Sequence, residues 1–455
     1  MSIDADYLVV GAGAMGMAFT DVILNETDAS VVLVDRLHAP GGHWNKAYPF
    51  VRLHQPSSFY GVNSRPLGND TIDRTGWNEG LYELATNGEV CAYFDHVMRE
   101  QFLPSGRVRY LPMSNYTGEG CVESLLTRTQ TNVVSRKIVD ATFMNVLVPS
   151  MRPPPFEVDP SASCLPLNAL PESAANYSDF VVVGAGKTGF DACLFLLQHG
   201  VEPDSIRWIM PRDAWLLNRA SIQALDLFED CMLHWFADTF TAIAAADTLT
   251  DAFVRIEQAG QLLRLDPNVE PTMYRCCTVT EAELAQVRRI RNVVRLGRVQ
   301  RIAAGRAVLD DGELPFGPAT LFVDCTADGL ARRPPQAVFA GETITLQSVR
   351  TCQQVFSAAF IAHVEAAYDD EILKNELATP VPHPDSALDL MTNIVADLMN
   401  AARWAEDDDL AQWMANARLD GFSRAGEPSA RERKLRERIA TDGALAAERI
   451  QQFIA

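Results

Sequence analysis

Twice along this chain an unbroken apolar run gives way to a glycine-rich turn and then to apolar residues at helical spacing. The first instance is Tyr7-Leu8-Val9-Val10, a turn from Gly11 to Gly16, and a helical stretch from Met15 to Leu24. The second is Phe180-Val181-Val182-Val183, a turn from Gly184 to Gly189, and a helical stretch reaching about His199. A further apolar run follows each, at Val31–Val34 and at Ile206–Met210. Short runs without polar alternation are typical of parallel strands covered on both faces, so the pattern predicts two βαβ units.

Other elements are legible around these two. Gly88 to Gln101 predicts a helix, Arg107 to Leu111 a strand, and two more strand-like stretches precede Val148. Pro153, Pro154, Pro155, Pro160, Pro166 and Pro171 then crowd into one segment, which reads as an extended connector. From Trp215 to about Leu263 the spacing is helical, as expected of an insertion, with Trp235 and Phe236 as packing residues. Strand character returns over Val293–Ile302, in a hairpin around Asp310-Asp311-Gly312, and at Leu321-Phe322-Val323, which reads as the return to the first unit. The charged tail beyond about Pro380 is helical, a cap or a homodimer contact.

At 455 residues the chain is too long for one hydrophobic core. The predicted fold class is α/β, with two Rossmann-like dinucleotide-binding domains, the second inserted in the first. The first would comprise 1–150 and 318–380, the second 176–317 with its helical insertion at 215–263, and a helical C-terminal segment 381–455.

Each turn has the spacing of a diphosphate cradle. Gly11 would make the tight turn, Gly13 would let the backbone approach a pyrophosphate, and Gly16 would let helix pack on strand. The helix N-terminus then offers free N–H groups and the positive end of its dipole. Asp35, 24 residues after Gly11 and followed by Arg36, closes the second strand where a carboxylate accepts from ribose hydroxyls. Gly184, Gly186 and Gly189 repeat the arrangement, with Lys187 and Thr188 inside the turn; Lys187 stands beside the phosphates or is a solvated helix-end lysine. Arg212 falls where the first motif has its acid, which suits a 2′-phosphate and favours NADPH over NADH, although Asp213 adjoins it. Two complete fingerprints point to an enzyme that holds FAD and also binds a nicotinamide dinucleotide.

Composition narrows the partners. A net charge of −20 argues against a nucleic-acid phosphate backbone and against anionic membranes. No apolar run reaches the ~18–20 residues that span a bilayer. Met1-Ser2-Ile3-Asp4-Ala5-Asp6 lacks the basic start of a secretory leader, so a cytoplasmic location is expected. The nine cysteines are scattered without a C-x-x-C, so neither a zinc ribbon nor a redox pair is expected, and the vicinal Cys276-Cys277 reads as structural. Neither a G-x-S-x-G elbow nor H-E-x-x-H is present, which leaves hydrolase and metalloenzyme readings without support.

Further residues carry a family resemblance. Gly41-Gly42-His43-Trp44 is similar to the G-G-x-W that flavoprotein monooxygenases, both flavin-containing and Baeyer–Villiger, carry beside the flavin. Tyr48-Pro49, Arg52-Leu53-His54, Pro56-Ser57 and Tyr60 resemble the Baeyer–Villiger run Y-P-G-x-R-x-D with its following P-S and Y. Val323-Asp324-Cys325-Thr326-Ala327 is similar to the A-T-G segment linking the two domains, and Gly341–Gln347 with a helix from about Gln353 to the last flavin-contacting segment. The resemblance covers most of residues 5–365 and implies FAD near Gly42, Trp44, His54 and Gln55, with Thr326 also at the cofactors.

It also implies a reaction. NADPH would reduce FAD, and oxygen would give a C4a-(hydro)peroxyflavin that oxygenates a small organic substrate. His54, whose ordinary pKa near 6.5 makes it the best protic group, Gln55, Tyr60 and Arg52 are the catalytic candidates. The sequence departs from the pattern in three places. No F-x-G-x-x-x-H precedes the second fingerprint, and His54 and Phe50 replace an aspartate and a glycine. These departures bear on the oxygen chemistry and not on cofactor binding. They leave open an NAD(P)H-dependent flavoprotein reductase or dehydrogenase, and a non-catalytic flavin-binding protein.

Overall fold

The computed structural model describes residues 2–223, 226–228, 230–327, 329–421 and 427–454. Parts of the helical insertion (224–225, 229) and of the tail (422–426) therefore lie outside the described residues. The chain opens with β1 (Ser2–Val10), α1 (Ala14–Glu26), β2 (Val31–Val34), α2 (Asn87–Val97), β3 (Val108–Leu111), β4 (Ser114–Gly118), β5 (Cys121–Ser124) and β6 (Gln130–Asp140). β1 pairs in parallel with β2 and β6, and β2 in parallel with β3. The apolar run of β2 is buried throughout, as both-sided cover requires.

The segment 149–176 is less simple than a connector. It contains β7 (Glu157–Val158), β8 (Ser163–Pro166) and a short α3 (Leu170–Ser173). Both strands are the outermost of their sheets, where a proline removes no needed ladder bond. Next come β9 (Asp179–Val183), α4 (Lys187–Gln198), β10 (Ile206–Ile209), β11 (Ala214–Asn218), α5 (Cys231–Ala244), α6 (Leu249–Gln258), β12 (Leu262–Leu263), β13 (Met273–Val279), α7 (Glu281–Val287), β14 (Asn292–Val294), β15 (Val299–Ala303), β16 (Arg306–Leu309), β17 (Gly312–Pro315) and β18 (Thr320–Asp324). A five-stranded sheet runs β14-β10-β9-β18-β8, parallel at every pairing. The expected hairpin is present, with Leu309 opposite Gly312.

Two expectations are corrected here. The stretch from Trp215 does not begin as a helix: β11 is a buried strand whose Ala214 and Leu216 enter one core while Trp215 and Leu217 enter another. A strand wedged between two cores reads as a continuous apolar run, and periodicity alone does not separate that from a buried helix. The stretch Leu321–Val323 does not return to the first unit either; β18 lies between β9 and β8 in the second sheet, so the boundary at 318 falls too early. The chain rejoins the first sheet at β19 (Phe339–Ala340) and β20 (Thr343–Thr345), which pairs in parallel with β6.

The remaining helices are α8 (Gln354–Ala367), α9 (Glu371–Leu377), α10 (Ala387–Ala405), α11 (Asp408–Asn416) and α12 (Ala430–Ile454). α8 is almost wholly buried and packs on α1 beneath the first sheet. α12 lies against α5, with Gly443 facing the Phe240 ring, so the tail caps the helical insertion. Among the described residues no helix is long and apolar enough to cross a membrane.

Backbone crowding makes the turn glycines obligatory. A Cβ on Gly184 would lie 2.6 Å from the Cys325 carbonyl oxygen, at a φ of +130° that only glycine adopts freely. Gly184→Ala is expected to cost about 3 kcal/mol or more, since strain and overpacking add. Gly76→Ala, at φ +82° but facing open space, should cost about 1 kcal/mol. Urea midpoints of the two variants check the difference; equal losses would mean that the Cys325 contact is not limiting.

Candidate functional site

At the first cradle Gly13 caps the start of α1, and both Gly13 and Ala14 remain partly exposed. A Cβ on Gly13 would make only an ordinary contact, 3.6 Å to the Gly42 Cα. The reverse is not true: a Cβ on Gly42 would lie 2.8 Å from the Gly13 Cα, so the Gly41-Gly42 turn closes over the fingerprint only as glycine. The Gly41 N–H donates to the Ala12 carbonyl at 2.8 Å and ties the two turns together. Asp35 accepts from the Ala12 N–H at 2.6 Å and from the Leu37 N–H at 2.7 Å, one bond to each oxygen. Burial raises its carboxyl above the usual range against those bonds. Arg36 beside it is exposed. Trp44 is buried and donates its indole N–H to the Tyr60 hydroxyl at 2.7 Å, and burial lifts that phenol far above its ordinary value.

The second cradle opens into a cavity of about 780 Å³ lined by Gly184, Ala185, Gly186 and Thr326 together with Arg152, Arg212, Arg275, Arg298 and Arg332. Nothing lies within 4 Å of a Cβ built on Gly186, so the turn has room for a diphosphate. Arg212, Arg275 and Arg332 converge on Asp385 at 3.0, 2.6 and 2.7 Å. Burial opposes ionisation of Asp385, but the bonds from Arg212 and Arg275 outweigh it and hold the carboxyl below its usual range. Three cations on one anion leave a local positive surplus in a chain of net charge −20. Asp213 does not compete for this space. It is buried and takes Arg295 in two bonds, 2.8 and 2.9 Å. Thr326 donates its N–H to Asp324 at 2.9 Å, and its carbonyl accepts from Arg152, so it belongs to this cavity.

Three candidates sit elsewhere than expected. Lys187 turns to Asp191, one helical turn along α4, where Tyr48 also donates at 2.5 Å; it is not aimed at the cradle. A cation at the first helical position has a carboxylate one turn along within reach. Thr188 is half-buried in the same turn. Arg52 is exposed, bridged to Thr86 at the start of α2, and lines neither large cavity. His54 accepts from the Thr278 N–H at 3.2 Å through Nδ1. Burial, followed by the Lys187 and Arg219 cations, pushes its pKa down to about 3. It is therefore a neutral ring pinned between the two units and not an imidazolium acid. Its carbonyl accepts from Arg219, a fully buried arginine bonded also to Asn78 at 3.1 Å and Glu283 at 2.9 Å. No motif marks Arg219, Asn78 or Glu283, because their partners lie far apart in sequence.

An apolar cavity of about 370 Å³ lies between α5, β13, α10 and the turn before α8. Gln55, Phe59, Trp235, Phe236, Cys276, Cys352 and Asp397 are in its wall; Trp235 and Phe236 pack against the helical core as expected and also border this space. The Trp235 indole N–H is buried with no hydrogen-bond partner among the described residues. Asp397 accepts from the Thr351 N–H at 3.0 Å, and burial pushes its carboxyl up to about 6. The scattered cysteines do include a pair after all: Cys276 and Cys352, 76 residues apart, are joined through their sulfurs.

No known family model matches the sequence. The chain is 53% identical over 440 residues to the uncharacterized protein Rv2000 of Mycobacterium tuberculosis and equally to the uncharacterized protein Mb2023 of Mycobacterium bovis, covering 97% of this chain and 82% of each of those. Its structure is similar to that of cyclohexanone monooxygenase in an open crystal form, with a TM-score of 0.50, 14% identity and 98% of each chain covered. For the same enzyme with bound ε-caprolactone the TM-score is 0.51 at 14% identity, again over 98% of each chain. The fold is similar to that of these monooxygenases, two parallel-sheet units of mixed α/β build.

Asp397 gives a direct test of the cavity's polarity. The fold favours its protonated form, so the stabilisation is complete below pH ~4 and lost as pH rises through about 6. Asp397→Asn keeps the acceptor for Thr351 without the buried charge. At pH 8 it should stabilise the protein by on the order of 3 kcal/mol, about two pH units at 1.36 kcal/mol each, with the gain vanishing near pH 4. Melting curves across that range check it; a gain independent of pH would show that the carboxylate is not desolvated.

Proposed function

We propose that this chain, which belongs to the same family as the mycobacterial proteins Rv2000 and Mb2023, is an FAD-dependent, NADPH-using monooxygenase of a small organic substrate. The observation that carries this reading is the pair of cradles, the second open at its middle glycine and ringed by arginines, the first with Gly13 partly exposed beneath the Gly41-Gly42 turn. Gly11, Gly13, Gly16, Gly42 and Asp35 fit an FAD diphosphate and ribose, with Trp44 fixing the neighbouring turn through Tyr60. Gly184, Gly186 and Gly189 fit the nicotinamide diphosphate. Arg212, Arg275 and Arg332 suit a 2′-phosphate, which would take over part of the charge that Asp385 now balances. Bound FAD supplies hydride acceptance and the transfer of one oxygen atom.

The protein's part is to bind, dry and protonate. The apolar cavity suits a substrate whose body is hydrocarbon and which carries one acceptor, matching the unpartnered Trp235 N–H. Gln55 offers a second polar contact there. Asp397, with a pKa near 6, exchanges a proton readily at neutral pH and is a better protic group than His54. Arg52 has no assigned part. A reductase that passes no oxygen to substrate is the second reading, favoured by the missing F-x-G-x-x-x-H.

Three measurements test the proposal. Gly13→Val should be purified without yellow colour, with circular dichroism checking that it folds, since a Cβ there already touches the Gly42 Cα; normal flavin content would remove FAD from this cradle. Arg212→Ala should raise KM for NADPH about tenfold or more, one charged phosphate contact being worth ~1.5–3 kcal/mol, and leave NADH nearly unchanged. Equal effects on both would assign Arg212 to folding. With labelled oxygen and a panel of ketones, sulfides and amines, a product carrying one labelled atom supports the monooxygenase; NADPH consumption yielding only labelled hydrogen peroxide would establish the second reading.

A further inference from the structure

Cys276 and Cys352 occupy unusual places. Cys276 lies in β13 where its pairing with β11 jumps from Trp215–Tyr274 to Leu217–Thr278, an irregularity that accommodates its φ of +55°. Cys352 lies in the turn two residues before α8, at a φ of +59°. Non-glycine residues seldom take up this left-handed conformation, and both partners of the pair do. Their Cα atoms are 6.5 Å apart, within the range of roughly 4.4–6.8 Å that a disulfide spans. The pair is in the wall of the apolar cavity, and Cys352 is half-buried where Cys276 is buried.

The neighbouring cysteines differ in kind. Cys277 points into the opposite core, beside Leu216 and Met273, as strand alternation requires. Burial pushes its thiol up to about 12, and raises Cys193 and Cys325 well above their ordinary value. These are inert small hydrophobes. At the pair, by contrast, His383 places Nδ1 3.9 Å from the Cys352 sulfur. Burial, then the Arg275 cation, pushes its pKa down to about 4, so the ring is uncharged at neutral pH and too weak a base to deprotonate a thiol; the incoming thiolate forms in solvent, and the ring stands as a polar neighbour of the Cys352 sulfur.

We propose that Cys276 and Cys352 form a redox-active disulfide in the cavity wall whose substrate is a small dithiol. One thiolate of the dithiol attacks the Cys352 sulfur, the more exposed of the two, and Cys276 leaves and is protonated. The second thiolate then attacks the dithiol's own bound sulfur and releases Cys352. The Cys276–Cys352 bond breaks, the two ligand sulfurs become joined, and the dithiol's two hydrogens end on the two cysteines. The dithiol is the reductant, so the exchange is balanced without any other cofactor and does not depend on flavin or nicotinamide binding.

Dithiothreitol is the probe. Purified full-length protein, denatured and alkylated without reductant, should show seven of its nine cysteines labelled. After brief exposure of the native protein to millimolar dithiothreitol, acid quench and the same alkylation, all nine should be labelled, with peptide mapping placing the gain at Cys276 and Cys352. In oxidised glutathione, Cys276→Ser should gain one glutathione on Cys352, while Cys352→Ser should gain none at Cys276. Circular dichroism matching the parent shows that both variants fold. A pair reduced only after unfolding would make it a structural cross-link and overturn the proposal. So would nine labelled cysteines after incubation with oxidised glutathione, or retained zinc, since Cys276, Cys352 and His383 group closely enough to hold a metal. Flavin content is measured in parallel, so that loss of FAD and loss of thiol exchange are read separately.

Discussion

Main chain passes within touching distance of main chain at both ends of this molecule, and a missing side chain permits it each time. A Cβ on Gly16 would meet the Gly11 carbonyl oxygen at 1.9 Å, and one on Gly189 would meet that of Gly184 at 2.2 Å. Without those contacts α1 and α4 would have to stand off from β1 and β9. Their first free N–H groups would then no longer converge above the strand ends. The buried parallel sheets position the cradles, and the helices that start there pack on α8 and α7.

Electrostatics then distinguishes two cradles that share a backbone design. At the first stands the Asp35 carboxylate, oriented by two backbone N–H groups. Around the second there are five arginines, three of them held by Asp385. Asp385 keeps the guanidiniums ordered at a cost in field strength that still leaves a positive surplus. The overall acidity of the chain does not decide what this site attracts, because charges inside a cleft act at short range and are poorly screened.

The C-terminal segment packs onto both βαβ units. Asp385 precedes α10 and reaches the second cradle, Asp397 on α10 faces the apolar cavity, and Arg418 bonds the carbonyls of Ser58, Tyr60 and Val62 in the first unit. Trp404 stacks near Phe360 of α8 and closes the same cavity from the other side. A segment whose sequence reads as a charged helical tail is thus part of the site's wall. Its functional residues have no spacing rule, since each answers to a partner on a different element.

By itself the sequence determined what depends on neighbours a few residues away. The two strand–turn–helix units, the glycines at their crowded turns, the acid after β2 and the hairpin at Asp310 all follow from local sterics and periodicity. The resemblance around Gly42 and Trp44 likewise rests on a short run. Only the tertiary structure decided the rest. It placed β18 in the second sheet, because an apolar run of three residues fits either. It turned Lys187 onto Asp191 and Asp213 onto Arg295, set His54 against the Thr278 N–H where desolvation and nearby cations lower its pKa, and brought Cys276 to Cys352 across 76 residues. Charge state, exposure and sulfur pairing depend on what lies nearby in space, and distance along the chain carries no record of that.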